Sequence, residues 1–329
     1  MADREKDLDA AIEAVRAASS ICRAVQQRLV TADTLEKKDK SPVTVADFAS
    51  QAVVCERLAT LFPDDPIVGE EGAADLQGDD VAELRASVVE AVADELGYEP
   101  EEEEVLGWID RGNAGADTAR YWTIDPIDGT KGFLRGQQYA VALGLIENGE
   151  VVLGVLGCPN LDGPHGTGAL FSGVPASGQA LVHELDGEGI AGTPISVASP
   201  AQVADARFCE SVESGHSDQG ASAQIAALLG ITAEPYRIDS QCKYAAVARA
   251  DASIYLRLPT RADYEEKIWD HAAGKAVVEA AGGRVSDVSG KPLDFTQGRT
   301  LRANSGVIAT SGGVHEEVVA AVQKVLSAE

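Results

Sequence analysis

The segment YAVALGLIENGEVVLGVLGCPN, Tyr139 to Asn160, limits the possible folds more than any other part of the chain. Two apolar, β-rich arms flank Asn148-Gly149. Asn-Gly suits a two-residue type I′ turn, because both central residues of that turn need positive φ. The arms are therefore expected to fold back on each other as an antiparallel hairpin. Neighbouring segments extend the sheet: PIVGEEG reads as a short strand ending in a glycine-rich loop, YWTID as a buried strand, and GALFSGV and QALVHEL as further strands. Leu8, Ile12, Val15, Ser19, Cys22, Val25 and Leu29 recur at helical spacing, so the chain opens with an amphipathic helix. After the polar stretch ADTLEKKDKSP, a second helix is predicted from about Val45 to Leu61, with Thr44 as its cap and Pro63 as its stop. A third is predicted over Val81–Leu96. The first half is thus expected to be helices packed on an antiparallel sheet.

The rhythm changes after about Thr193. ISVAS, ARFCESV, AEPYRI and ASIYLRL read as strands, interleaved with helices at Gln219–Leu229, Gln241–Ala250 and Ile268–Ala281. GRVSDV and GVIATS return as strands, and Val314–Leu326 closes as a helix. Alternation of this kind indicates an α/β unit. The expected organisation is an α+β domain over residues 1–190 and an α/β domain over 191–329, with the boundary within Gly187–Thr193.

Charge and composition exclude several functions. With 53 acidic residues against 27 basic ones, the net charge is -26. Such a field repels nucleic acid polymers and anionic membranes. No stretch approaches the roughly 20 apolar residues that span a bilayer. The acids are spread along the chain, so their excess reads as solubility or as adaptation to a salty cytoplasm. The N-terminus MADREKDLDAA lacks the apolar core of a secretory signal and is not Arg-rich like a transit peptide. The five cysteines are scattered and never form a CxxC pair, which points to a reduced, cytoplasmic protein without a cysteine zinc site. A monomer is expected.

The stretch YWTIDPIDGTKGF, Tyr121 to Phe133, places Asp125 and Asp128 at the end of an apolar strand, separated by Pro126 and Ile127. Magnesium takes hard oxygen ligands in near-octahedral geometry and keeps several waters. Two carboxylates fixed by a sheet can converge on a cation pair, and the Ile127 carbonyl between them adds a further oxygen. GTKG then opens a helix, whose free N–H groups beside a glycine can cradle a phosphate. The same residues also fit an ordinary turn, since Asp-Pro and Asp-Gly are common turn dipeptides. Glu70 and Glu71 in IVGEEG, Asp270 in KIWDHAAG and Asp47 in PVTVADF fit an acidic metal site too. Each also fits a plainer role: a solvated loop pair, a helix N-cap and a favourable first-turn charge, respectively.

Taken together, GEE, DPIDGT and WDHAAG, in this order and at these separations, resemble the lithium-sensitive, magnesium-dependent phosphatase superfamily that includes inositol monophosphatase. SPVTVADF, FPDDPIVGEE, DPIDGTKGFLRGQQYAVALGLI, GCPNL, IDSQCKY, YLRLP and YEEKIWDHAAG resemble the 3′(2′),5′-bisphosphate nucleotidases more narrowly. Members of that family convert 3′-phosphoadenosine 5′-phosphate into AMP and phosphate. The resemblance covers nearly the whole chain and weakens at Leu76–Ala119 and Leu161–Gly192. It implies a layered α/β/α/β/α sandwich with two or three Mg2+ ions at the junction of two domains. Glu70, Asp125, Asp128, Asp270 and the Ile127 carbonyl are implied as metal ligands. Asp47 and Thr130 are implied as the pair that orients and activates the attacking water. The amides of Gly129 and Thr130 would hold the departing phosphate, and His216, Ser240, Lys243 and Arg257 would contact the nucleotide. Cys242 stands where a small residue such as alanine is expected, and it is given no catalytic role.

These implications are chemically coherent. A phosphate monoester carries about two negative charges near neutral pH, and its attacker is neutral water. Divalent cations address both barriers, and a carboxylate not used as a ligand can take the proton. A substrate with two phosphates also needs a locally positive site, which Lys243, Arg257 and a protonated His216 would supply at the phosphate that does not react. No Asp-x-Asp-x-Thr motif is present, so direct in-line displacement without a phosphoenzyme is expected. The other readings are an inositol mono- or polyphosphate phosphatase, activity on the 5′-sulfated nucleotide, and a non-catalytic nucleotide sensor.

Overall fold

The computed structural model describes residues 2–31, 41–212, 219–259, 261 and 264–327. The first half contains helices α1 (Ala2–Thr31), α2 (Ser41–Leu61), α3 (Ala82–Leu96), α4 (Glu102–Asp110) and α5 (Thr130–Leu134). Its strands are β1 (Ile67–Gly69), β2 (Arg120–Asp128), β3 (Ala140–Glu147), β4 (Glu150–Gly163), β5 (Gly166–Val174) and β6 (Gln179–Glu184), with β7 (Thr193–Pro194) closing the sheet. The order within the sheet follows the chain from β1 to β7. A second sheet, ordered β11-β12-β10-β8-β9, is built from β8 (Phe208–Glu210), β9 (Tyr236–Arg237), β10 (Ile254–Arg257), β11 (Arg284–Ser286) and β12 (Val307–Thr310). Helices α6 (Gln219–Leu229), α7 (Cys242–Ala248), α8 (Ala272–Ala280) and α9 (His315–Leu326) accompany it.

Three apolar cores divide these elements into layers. The first lies between α1, α2 and one face of the first sheet, with α3 and α4 packed outside. The second lies between the two sheets and encloses α7 and α8. The third lies beneath α6 and α9 on the far face of the second sheet. The result is an α/β/α/β/α sandwich.

Local chemistry explains the main elements. Leu8, Ile12, Val15, Ser19, Cys22 and Val25 all point inward from α1, as their spacing requires. Asn148 and Gly149 take φ of 52° and 80°, and Glu147 pairs with Glu150 across the tight turn. The acidic run Glu101–Glu104 opens α4, where the Glu101 amide donates to the Glu104 carboxylate at 2.9 Å. Acids at a helix start also face the positive end of its dipole.

A path of glycines brings the central layer close. Gly144, Gly154 and Gly173 are register partners on β3, β4 and β5. A Cβ on Gly144 would sit 2.9 Å from the Ala272 Cβ, and one on Gly173 would sit 2.6 Å from the Val277 Cα. Helix α8 therefore lies directly on sheet backbone, a spacing that only the missing side chains permit.

Several expectations need correction. β1 pairs with β2 in parallel, so the first sheet is not wholly antiparallel. Helix α2 starts at Ser41, which puts Thr44 inside its first turn rather than at its cap. ISVAS is not a strand. Past β7 it runs as a connector, held by Ile195 N–H to Ala180 O and Val197 N–H to Ala281 O. Its alternation reflects Ile195 and Val197 packing on the second core, without a ladder. The stretch 32–40, read as a polar loop, lies outside the described residues. Among the described residues no helix is long and apolar enough to cross a membrane.

Candidate metal and phosphate site

The parallel register of β1 and β2 builds the first part of the site. Gly69 stands opposite Ile124, so the next residues, Glu70 and Asp125, emerge side by side. The ladder from β2 to β3 is regular as far as Asp125, then shifts before resuming at Asp128. Pro126 lies in that interruption and has no N–H to donate. Gly129 follows with φ of 95°, and α5 starts at Thr130. Asp270 arrives from the other half, in the turn before α8, and Asp47 from the side of α2.

Five predicted acids lie near enough here to act on one another's charge. Burial raises the Glu70 pKa to about 8, helped by Asp270, Glu71 and Asp128. Burial, then Glu70, Asp128, Asp270 and Asp47, push the Asp125 carboxyl well above the usual range. Asp47 is likewise raised, by burial and then by Glu71 and Glu70. Asp128 is raised to about 6 by burial and Asp270, against the opposing pull of Lys243, Arg257 and the Gln241 amide. That amide donates to Asp128 Oδ2 at 2.6 Å. Asp125 Oδ1 is buried without a hydrogen-bond partner. A buried carboxylate oxygen left unpaired is costly unless a cation takes it. An all-oxygen donor set that repels itself and leaves such an atom bare fits a hard divalent cation.

The cationic groups share a cavity of about 520 Å³ with Asp128 and Asp270. Its lining includes Asp128, Thr130, Ser240, Lys243, Arg257 and Asp270. Ser240 takes φ of 63°, an uncommon state for a side chain larger than glycine, and accepts from the Cys242 amide at 3.2 Å. This sharp turn starts α7 and aims Gln241 N–H at Asp128. Lys243 is buried, donates from Nζ to Ser211 Oγ at 3.1 Å and lies 5.2 Å from the centre of the Tyr255 ring. Burial lowers its pKa, while Asp128 acts to raise it. Arg257 pairs through Nε with Glu266 at 2.8 Å and through Nη2 with Asp270 at 3.1 Å. Burial opposes its charge, yet Asp270, Tyr255 and Glu266 hold its pKa well above the usual value. His216 lies outside the described residues. Cys242 is buried and donates its thiol to Tyr139 O at 3.3 Å.

Sequence reasoning missed the residues that support this site. Gln51, fully buried on α2, donates to Glu71 O at 2.7 Å and accepts from Glu71 N–H at 3.0 Å, so it pins the turn that carries Glu70. A glutamine within the apolar run of α2 was the available signal. Arg299 stacks 4.9 Å from the centre of the Trp269 ring and donates to the carbonyls of Gly69 and Gly112. Glu266, His271 and Tyr244 back Arg257. Nothing local in the sequence marks Arg299 or Tyr244.

Two sheets flanking a helical layer, with acids from both halves at one cavity, define the class. Residues 3–327 match the inositol monophosphatase family, and the chain belongs to it. Among more specific relatives, the chain is 46% identical to a 3′(2′),5′-bisphosphate nucleotidase of Schizosaccharomyces pombe, over 99% of this chain and 96% of that one. It is 43% identical to the enzyme of the same name from Oryza sativa, over 96% and 93%. Solved structures share the fold at lower identity. An inositol monophosphatase from Anabaena superposes with a TM-score of 0.63 at 23% identity, over 100% of both chains. One from Zymomonas mobilis gives 0.65 at 19% identity, over 97% of this chain and 98% of that one.

Proposed function

We propose that this protein is a magnesium-dependent phosphatase that hydrolyses 3′-phosphoadenosine 5′-phosphate to AMP and phosphate in the cytoplasm, as a monomer. The observation that carries the reading is the meeting of acids and fixed cations at one cavity. Asp128 and Asp270 line it together with Lys243 and Arg257, and both acids act on Asp125, which has a bare buried oxygen. The names of the relatives at 46% and 43% identity agree with it. The five cysteines are all free and buried, which suits a reducing compartment.

In this reading Glu70, Asp125, Asp128, Asp270 and the Ile127 carbonyl hold two or three Mg2+ ions. The ions supply neutralisation of phosphate charge and acidification of water. Asp47 accepts the proton of the attacking water on its carboxylate, and the Thr130 hydroxyl orients that water. The Gly129 and Thr130 amides hold the phosphate that departs. Ser240, Lys243 and Arg257, joined by His216, hold the nucleotide and its second phosphate. Displacement is in line and direct, and the 5′-sulfated nucleotide is accepted as well.

Phosphate release with magnesium tests the reading. The panel is 3′-phosphoadenosine 5′-phosphate, its 5′-sulfated form, AMP, inositol 1-phosphate and inositol 1,4-bisphosphate. The adenosine bisphosphate is expected to give the highest kcat/KM. Preference for either inositol phosphate would replace this reading with an inositol phosphatase, and release from none would leave a nucleotide sensor.

A further inference from the structure

Arg257 is gripped from behind by a relay of buried polar groups. Tyr244 OH lies 2.7 Å from His271 Nδ1, and His271 Nε2 lies 3.1 Å from Glu266 Oε2. The same Glu266 oxygen receives Arg257 Nε at 2.8 Å. Arg257 Nη2 then reaches Asp270 Oδ2 at 3.1 Å. An ionised carboxylate can only accept, so with a neutral imidazole Nε2–H donates to Glu266 and Nδ1 accepts the Tyr244 O–H. Tyr244, His271 and Glu266 are all buried. Glu266 has its pKa held down; burial works the other way, but the His271 hydrogen bond and Arg257 outweigh it. Arg257 and Glu266 both line the cavity, but Arg257 is the more open of the two, with 26% of its side chain exposed against 6% for Glu266.

Charge alone does not explain this arrangement. Two carboxylates on one guanidinium leave the group net negative, which is a poor way to attract a phosphate. Geometry does explain it. An arginine side chain carries about 2 kcal/mol of rotamer entropy, and a free one would sweep the cavity wall. With Nε tied to Glu266, and Nη2 to Asp270 and at 3.3 Å to the Tyr264 hydroxyl, the plane of the fork is set, and among the described residues its Nη1 end is left to meet an anion. Lys243 then supplies charge, and Arg257 supplies direction.

We propose that Glu266, backed by His271 and Tyr244, is a positioning residue that fixes the Arg257 guanidinium and so sets the preference for substrates with a second phosphate. This rests on the nucleotide reading of the cavity above. Two measurements test it. One is the inhibition constant of AMP, which keeps the phosphate that does not react. The other is the ratio of kcat/KM for 3′-phosphoadenosine 5′-phosphate to that for 3′-AMP, which lacks it. Glu266→Gln is expected to weaken AMP inhibition and lower the ratio about tenfold, the scale of one hydrogen bond to a charged group, mainly through KM for the bisphosphate. Tyr244→Phe should act in the same direction by about two- to threefold, and it carries the test if Glu266→Gln does not fold. In an Arg257→Ala background Glu266→Gln should add nothing.

Tighter AMP inhibition in Glu266→Gln would overturn the proposal, because removing a negative charge would then be all that mattered. Equal losses on both substrates, or losses that add to Arg257→Ala, would overturn it too. Failure of the unsubstituted protein to hydrolyse the bisphosphate nucleotide would instead sink the functional reading. The same comparison would then be made with inositol 1,4-bisphosphate against inositol 1-phosphate, and the relay judged there by the same outcomes.

Discussion

Two acidic regions meet at one cavity, and they are built on opposite principles. At the tips of β1 and β2, burial and neighbouring acids raise the pKa values of Glu70, Asp125 and Asp128, and one Asp125 oxygen has no partner among the described residues. A short distance away, Glu266 and Asp270 are tied to Arg257, and Glu266 also to His271. The first region is incomplete as protein, and the second is nearly complete. An unsatisfied buried carboxylate among like charges leaves room for an ion, whereas a satisfied network holds the protein still.

Substitutions on each side should separate these two behaviours. The largest effect is expected at the edge of the incomplete region: Asp47→Asn should lower turnover by about three orders of magnitude, with AMP binding little changed. Phosphate release and calorimetry check this, and unchanged turnover would remove Asp47 as the proton acceptor. Next is the completed region, where Arg257→Ala should raise KM for the bisphosphate nucleotide by about tenfold to a hundredfold, and far less for 3′-AMP. Stability should then move in opposite directions. In chelator, Asp125→Asn removes one repelling charge and should raise Tm by about 2 °C, while Asp270→Asn loosens Arg257 and should lower it by a similar amount. Magnesium should stabilise the unsubstituted protein and fail to stabilise Asp125→Asn. Shifts of the same sign for both variants would abolish the contrast.

The smallest effect lies outside both regions and serves as a control. Burial, with Arg284 adding to it, holds the His315 pKa down to about 4 from 6.5, while its ring bonds to Thr310 and Ser286 at 2.9 and 3.0 Å. The unfolded chain takes up a proton in that window and the folded one does not. The His315 contribution to stability should therefore be full above pH 6.5, fall as pH drops through the window and level off below about 4. His315→Gln should flatten part of that decline in urea midpoints, and variants of the two acidic regions should not.

How much of this was legible depends on the distance over which each feature is encoded. The Asn148-Gly149 hairpin was readable because the turn and both arms are contiguous, and only such residues tolerate its φ values. The buried stripe of α1 was readable for the same reason. The candidate site emerged only through resemblance, since DPIDGT alone fits a turn as well as a metal centre. Parallel pairing of β1 with β2 could not be read, because the register that sets Glu70 beside Asp125 joins segments separated by α3 and α4. The relay behind Arg257 was equally hidden: it joins β10, α7 and the turn before α8 through side chains with no shared periodicity. ISVAS misled because burial on one side gives the same alternation as a strand, with or without a neighbour to pair with.

The bare backbone beneath α8 has a consequence for the chemistry overhead. Asp270 immediately precedes that helix, whereas Asp125 and Asp128 end a strand of the sheet on which it rests. Three absent methyl groups, at Gly144, Gly154 and Gly173, thus act as the shim that sets how far apart the two sets of acids stand. An alanine at Gly154 would touch none of these acids, yet it would jack the helix off its bed and widen the gap between the two sets.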